Sequence, residues 1–167
     1  MQKERKEKNV KTLEELVIEV KSVVKVTAGG RQRRFSACVV VGDRKGMVGI
    51  GIGKAAEVPD AVKKAIQQAN KNLIKVDLID NRTIPHEATC KVGRAVVMIK
   101  PAKEGTGVIA GGAARAVLEL AGVRDIVSKS LGSNVKVNVA KATLEALQVQ
   151  RTAEQIAEMR GKKVEEL

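Results

Sequence analysis

The sequence predicts an α+β fold in two small domains, and three observations carry that prediction. Three period-two segments joined by glycine turns fill residues 16–53, and a helical apolar spacing follows from Val58. A polar stretch ahead of Pro85 interrupts the apolar patterning. Beyond it, strand-like and helix-like stretches alternate, as they do in an α/β domain. The expected organisation is an arm of mixed charge at 1–15, a first domain of three antiparallel strands and a helix at 16–81, a second α/β domain at 82–150, and a helix and tail at 151–167.

Residues 1–11 alternate acids and bases with only Met1 and Val10 apolar, which reads as a mobile arm. Thr12-Leu-Glu-Glu15 fits a capping box and predicts a short helical turn. From Leu16 the period becomes two, and Ile18, Val20, Val24 and Val26 share one face of a half-buried strand. Gly29-Gly30 predicts a hairpin, since both positions tolerate positive φ. The return strand turns Phe35, Ala37, Val39 and Val41 inward. A second turn, Gly42 to Gly46, leads into a strand where Val48, Ile50 and Ile52 alternate with Gly49, Gly51 and Gly53. Pro59 suits the first turn of the next helix, whose apolar positions run from Val58 to Leu73.

In the second half, His86–Val92 and Arg94–Lys100 predict two strands. A glycine-rich loop from Glu104 to Gly112 opens a helix with Ala114, Val117, Leu118 and Ala121 on one face, and Gly122 ends it. Val123–Leu131 is apolar enough for a third strand. Gly132-Ser-Asn134 turns the chain into a helix holding Val139, Thr143, Leu144 and Leu147. The capping box Thr152-Ala-Glu-Gln155 starts a last helix that stops at Gly161.

The charge is concentrated. Of a net +12, half lies in residues 25–54, where Lys25, Arg31, Arg33, Arg34, Arg44, Lys45 and Lys54 face the single acid Asp43. Basic charge on sheet tips suits a polyanion, and the pI near 9.9 points to nucleic acid or an anionic surface. No apolar run approaches the roughly 18 residues a spanning helix needs. The charged start has no apolar segment behind it, so no signal peptide and a cytosolic setting are expected. Cys38 and Cys90 lie far apart in strand-like runs, as buried free thiols would.

Gly29-Gly30-Arg31-Gln32-Arg33-Arg34 reads as a tight turn presenting three guanidiniums, whose forks match phosphate oxygens. Arg44-Lys45 and Lys54 are expected to join them on one edge of the sheet. Gly49-Ile-Gly-Ile-Gly-Lys54 lacks the spacing of a phosphate loop, and Ala55 follows the lysine. Its flat glycine face could take either the following helix or RNA. Gly105–Gly112 precedes a helix start that could bind an anion, or could be a close-packed connector. Arg115 could meet phosphate or an acidic partner. One histidine, His86, and two scattered cysteines make neither a zinc site nor a recognisable catalytic set, so no enzyme, metal or cofactor is expected. With Phe35 the sole aromatic, base stacking on rings is excluded, leaving phosphates, 2′-hydroxyls and RNA shape.

Val39-Val-Val-Gly-Asp43, Val48-Gly49, Gly53-Lys54-Ala55, Glu57-Val-Pro59 and the block from Lys100 to Val123, with its Glu104-Gly-Thr-Gly-Val-Ile-Ala-Gly-Gly112, resemble the bacterial small-subunit ribosomal protein five family. The resemblance runs from about Leu16 to Gly161. It implies a first domain similar to double-stranded-RNA-binding domains and a second that shares its fold with small-molecule kinases. It further implies a cytoplasmic structural constituent of the small subunit, without membrane contact, that contributes to assembly and accuracy. Its implied partners are small-subunit rRNA, ribosomal proteins four and eight, and mRNA where it enters the subunit. The expected rRNA-binding residues are Lys21, Lys25, Gly29, Gly30, Arg31, Arg33, Arg34, Arg44, Lys45 and Lys54, with Gly29 to Arg31 near the spectinomycin site. The expected protein-facing residues are Gly105, Thr106, Gly107, Gly111, Gly112 and Arg115, on the side of protein four. Ala28 stands where the family often has lysine, and Ile50 where it often has an aromatic. The alternatives are a free-standing RNA-binding regulator and, less expected, a small-molecule kinase using the Gly105–Gly112 loop.

Overall fold

A computed structural model describes residues 13–162 and 164, so the arm expected at 1–11 and Thr12 of the expected cap lie outside the described residues. Two four-stranded sheets with helices form the fold. The first is ordered β1-β2-β3-β4, with β1 Glu14–Thr27, β2 Gly30–Gly42, β3 Met47–Ala55 and β4 Leu73–Lys75, all antiparallel to their neighbours. Helix α1, Val58–Lys71, connects β3 to β4 and lies across one face of this sheet. Glu14 and Glu15 already belong to β1, so the helical turn expected there is corrected to strand.

Glycine on β3 is what lets α1 sit so close. A methyl carbon added at Gly49, Gly51 or Gly53 would fall 2.6, 1.9 or 2.1 Å from the carbonyl oxygens of Ala69, Ala65 and Ala61. Those three alanines are the buried stripe of α1. The face left open in the sequence between helix and RNA is therefore taken by the helix. Val39 and Val41 pack on it beside Ala65 and Ala69, and Phe35, Ala37 and Ala55 beside Ala61.

The second sheet is ordered β5-β6-β8-β7, with β5 Ala88–Val92, β6 Ala95–Pro101, β7 Val108–Ile109 and β8 Ile126–Gly132. β7 runs parallel to β8 and the other pairs are antiparallel. Helix α2, Gly112–Ala121, is the crossover between the parallel pair. Helices α3, Lys136–Gln148, and α4, Ala153–Arg160, complete the chain. Gly122 ends α2 at φ 89°, and Thr152 with Gln155 forms the expected reciprocal cap on α4. The expected third strand starts three residues later than its apolar run, at Ile126.

The two halves share one core. Cys38, Val40, Val48 and Ile50 of the first sheet join Val97, Ile99, Val117, Leu118, Ile126, Val139 and Leu147 of the second half in a single apolar cluster. β2 is thus buried on both faces, by α1 on one and by the second half on the other. Ile50, which departs from the family's aromatic, lies in this seam at 6% exposure, so the departure concerns packing. The polar stretch between the halves is also tied down: Arg82 O accepts from Arg124 N and Asp125 N, and Thr83 and Ile84 are buried.

Candidate nucleic-acid interface

The β1–β2 ribbon runs on past α1. From Val20 to Ser36 it carries Lys21, Lys25, Arg31, Arg33 and Arg34 and no acid. Its two-residue turn is Ala28-Gly29, one position earlier than expected, and only Gly30 of the glycine pair has a left-handed φ, 127°. Thr27 Oγ1 donates to Gly30 O across the turn at 3.0 Å.

Register decides which cations act together, because directly paired residues share a face. Val20 pairs with Ala37, Val24 with Arg33 and Val26 with Arg31, which puts Arg31 and Arg33 on the α1 side. Lys21 pairs with Ser36, Lys25 with Gln32 and Val23 with Arg34; Ser36 in turn pairs with Lys54. Lys21, Lys25, Arg34 and Lys54 therefore occupy the opposite side. The three arginines do not form one cluster; they are divided between the two faces of the ribbon. The valines expected to be half-buried are open to solvent, Val24 at 53% and Val26 at 73%, because neither α1 nor the second half reaches this far. Phe35 is half-buried with the Arg33 guanidinium 5.5 Å from its ring centre.

The second basic turn is not beside the first. β2 joins them, and its 13 residues span about 40 Å at about 3.3 Å each. The expectation of one shared edge is corrected accordingly. Arg44 is also engaged within the chain, with Nε and Nη2 at 2.8 and 2.7 Å from Glu14 Oε2. Its φ of 54° and its backbone N–H, donated to Leu120 O at 3.0 Å, bind the turn to the end of α2. Gly46 N donates to Ala121 O at 2.9 Å, so this turn caps carbonyls that a helix end leaves unpaired. Lys45 is exposed, and Lys21 meets Glu19 at 3.1 Å.

The Gly105–Gly112 loop is built around a buried carboxylate. Asp125 Oδ1 accepts from Gly107 N at 2.8 Å and Oδ2 meets Arg82 Nη1 at 3.3 Å. The Gly107 N–H first, then the Arg82 guanidinium, hold this carboxyl below the ordinary carboxylate range. Gly105 and Gly107 take left-handed φ of 81° and 75°. Methyl carbons added at Gly105, Gly107, Gly111 or Gly112 would meet nothing within 4 Å, so the close-packed connector reading does not apply. Thr106 Oγ1 donates to Lys103 O, and exposed Arg115 donates to Val108 O at 3.3 Å. The loop is an open, internally braced surface. A depression of about 240 Å³ lies elsewhere, at the seam, lined by Arg44, Glu119, Gly122, Val123 and Arg124.

His86 is structural: its Nδ1 bonds Glu87 O at 2.8 Å while Nε2 accepts from Arg151 N. Cys38 is buried and Cys90 half-buried, both free, with burial pushing each thiol's pKa up. Among the described residues no cluster of metal-ligating side chains occurs and no helix is long and apolar enough to cross a membrane. Sequence reasoning missed the partners Glu14 and Asp125, whose roles depend on contacts 30 and 18 residues away. It also missed that β4 carries Lys75 to the turn end of the sheet, where it pairs with Met47. Two family models match the chain: one described as Ribosomal protein S5, N-terminal domain, over residues 13–77, and one described as Ribosomal protein S5, C-terminal domain, over residues 90–160.

Proposed function

The chain belongs to the ribosomal protein S5 family, and from that premise we propose that it binds small-subunit rRNA chiefly through the free end of its β1–β2 ribbon. Membership makes it a constituent of the small ribosomal subunit and a structural protein of the cytoplasmic ribosome. The single observation that supports the ribbon is its charge: five cations and no acid over residues 20–36, on strands that run on past β3 and α1 between Val23 and Arg34. Arg31 and Arg33 meet phosphates from one face, and Lys25, Arg34 and Lys54 from the other, with Lys21 shared with Glu19. Glycine at 29 and 30 lets RNA approach the backbone, since a side chain there would occupy open space that RNA could fill. Arg44 is withdrawn from the contact by Glu14. The open loop of Gly105, Thr106, Gly107, Gly111, Gly112 and Arg115 docks a neighbouring ribosomal protein, four by family resemblance, with protein eight and incoming mRNA as further neighbours. Its contribution to decoding accuracy runs through that loop.

The test is the salt dependence of affinity for a small-subunit rRNA transcript. The ribbon's contacts, about five phosphates, contribute about −4 to −5 to the log–log slope. Replacing Arg31, Arg33 and Arg34 together by Gln should make the slope shallower by about 2 to 3. An unchanged slope in that variant would remove the ribbon from the interface.

A further inference from the structure

A second acid-free stretch lies where the ribbon cannot reach. Residues 61–76 hold Lys63, Lys64, Lys71 and Lys75 and no acid. In α1, Ala61, Ala65 and Ala69 face the sheet, and Val62 and Ile66 lean toward β2. The other flank carries Lys64, Gln68 and Lys71 along the outer edge of β3, where Gln68 Oε1 accepts from Ile52 N. β4 extends this row with Lys75, paired to Met47, and Val76 N donates to Gly46 O, which brings Lys45 to its end. All four lysines are exposed, and none makes an ion pair among the described residues.

Asp60, exposed one turn before Lys64, stands at the start of this flank, and the acids near its other end are engaged elsewhere. Asp43 Oδ1 accepts from Lys45 N and Met47 N, Glu14 holds Arg44, and Asp77 accepts from Gln155. Amides interleave the lysines, with Gln67, Gln68 and Asn72 exposed on the same flank. From Lys64 onward this flank offers cations with hydrogen-bonding amides between them and no acid, the chemistry that suits a sugar–phosphate backbone.

We infer that Lys45, Lys64, Lys71 and Lys75 form a second RNA-backbone contact, on the edge of β3 and at the opposite end of the sheet from the ribbon tip. The inference rests on the reading that the chain's polyanionic partner is rRNA, but it uses none of the ribbon's residues. Lys64 and Lys71 are separated by about 10 Å of helix rise, and Lys75 and Lys45 continue the row around the end of the sheet. RNA held there is gripped through its sugar–phosphate backbone and not by base stacking, because this surface carries no aromatic residue.

The full-length variant K45Q/K64Q/K71Q/K75Q, titrated with the same rRNA transcript across salt, should show a slope shallower by about 3 to 4. The matching Lys→Arg variant should restore it, which separates lost charge from lost fold. An unchanged slope in the Gln variant, or no restoration by arginine, overturns the inference. So does a Gln variant that keeps its RNA slope but fails to enter small subunits, since the surface then meets protein. If R31Q/R33Q/R34Q leaves the slope intact while the lysine variant flattens it, the ribbon reading fails and this one stands.

Discussion

Asp125 is 5% exposed, and its charge depends on two donors, Gly107 N and Arg82 Nη1. Because its pKa is lowered in the fold, the carboxylate stabilises the native state above its unfolded pKa, and that contribution disappears as pH falls through the folded value. Asp125→Asn should therefore lower the melting temperature most at neutral pH. The gap between variant and parent should close on acidification below about pH 4, the usual carboxylate range. Melting curves from about pH 7 to about pH 3 check it; a gap independent of pH would mean the charge does no stabilising. Arg44 teaches a related lesson at the same scale. Sequence shows its charge, but not the Glu14 carboxylate thirty residues away that holds it, nor the αL backbone that makes it part of a helix cap.

At the scale of elements, the alternation of Val48, Ile50 and Ile52 with three glycines was legible as a strand with one flat face. What covers that face was not, because helix α1 reaches it only through the sheet's topology. Gly51→Ala tests the contact directly. Its methyl would stand 1.9 Å from Ala65 O, a backbone atom that cannot rotate away. Overpacking of this kind costs about 1–3 kcal/mol or more, and the helix must lift to relieve it. The unfolding free energy from denaturant titration should fall by that amount, with a lower midpoint at constant m-value; a neutral variant would show that α1 packs less closely. The strands β4 and β7, of three and two residues, were too short for any period to appear. β1 was legible as a strand, yet its burial was not: the register puts Val24 and Val26 opposite Arg33 and Arg31, beyond the reach of either packed layer. The same register splits the arginines between two faces, which no count of basic residues reveals.

Across the whole molecule, two family domains meet in one apolar cluster and through backbone contacts that leave no room for a side chain. A methyl carbon at Gly42 would stand 2.3 Å from Leu120 O, and one at Gly122 would stand 2.2 Å from Arg44 O. The polar break at residues 77–83 reads in the sequence as a boundary, yet the apolar core runs across it. Sequence patterning marks where elements end, whereas the seam is made by alternate residues of β2 and β3, Cys38, Val40, Val48 and Ile50, reaching across to α2 and α3. Removing either half would expose that apolar face, so neither half is expected to unfold alone. Unfolding should be a single transition, with the amides of Val40 in β2 and Val97 in β6 exchanging at the same free energy. Gly122→Ala attacks the seam at one point: Gly122 needs φ 89° and has no space for a methyl. A cost of about 2–3 kcal/mol would lower the melting temperature by roughly 5–10 °C for a chain of this size. The decisive feature is that protection in β2 and β6 should fall together, although Gly122 belongs to neither strand. Two resolved transitions, or a loss confined to β6, would mean that the ribbon half stands without its neighbour. The protein would then carry its proposed RNA-binding surfaces on a unit free to move against the rest, rather than on one rigid frame.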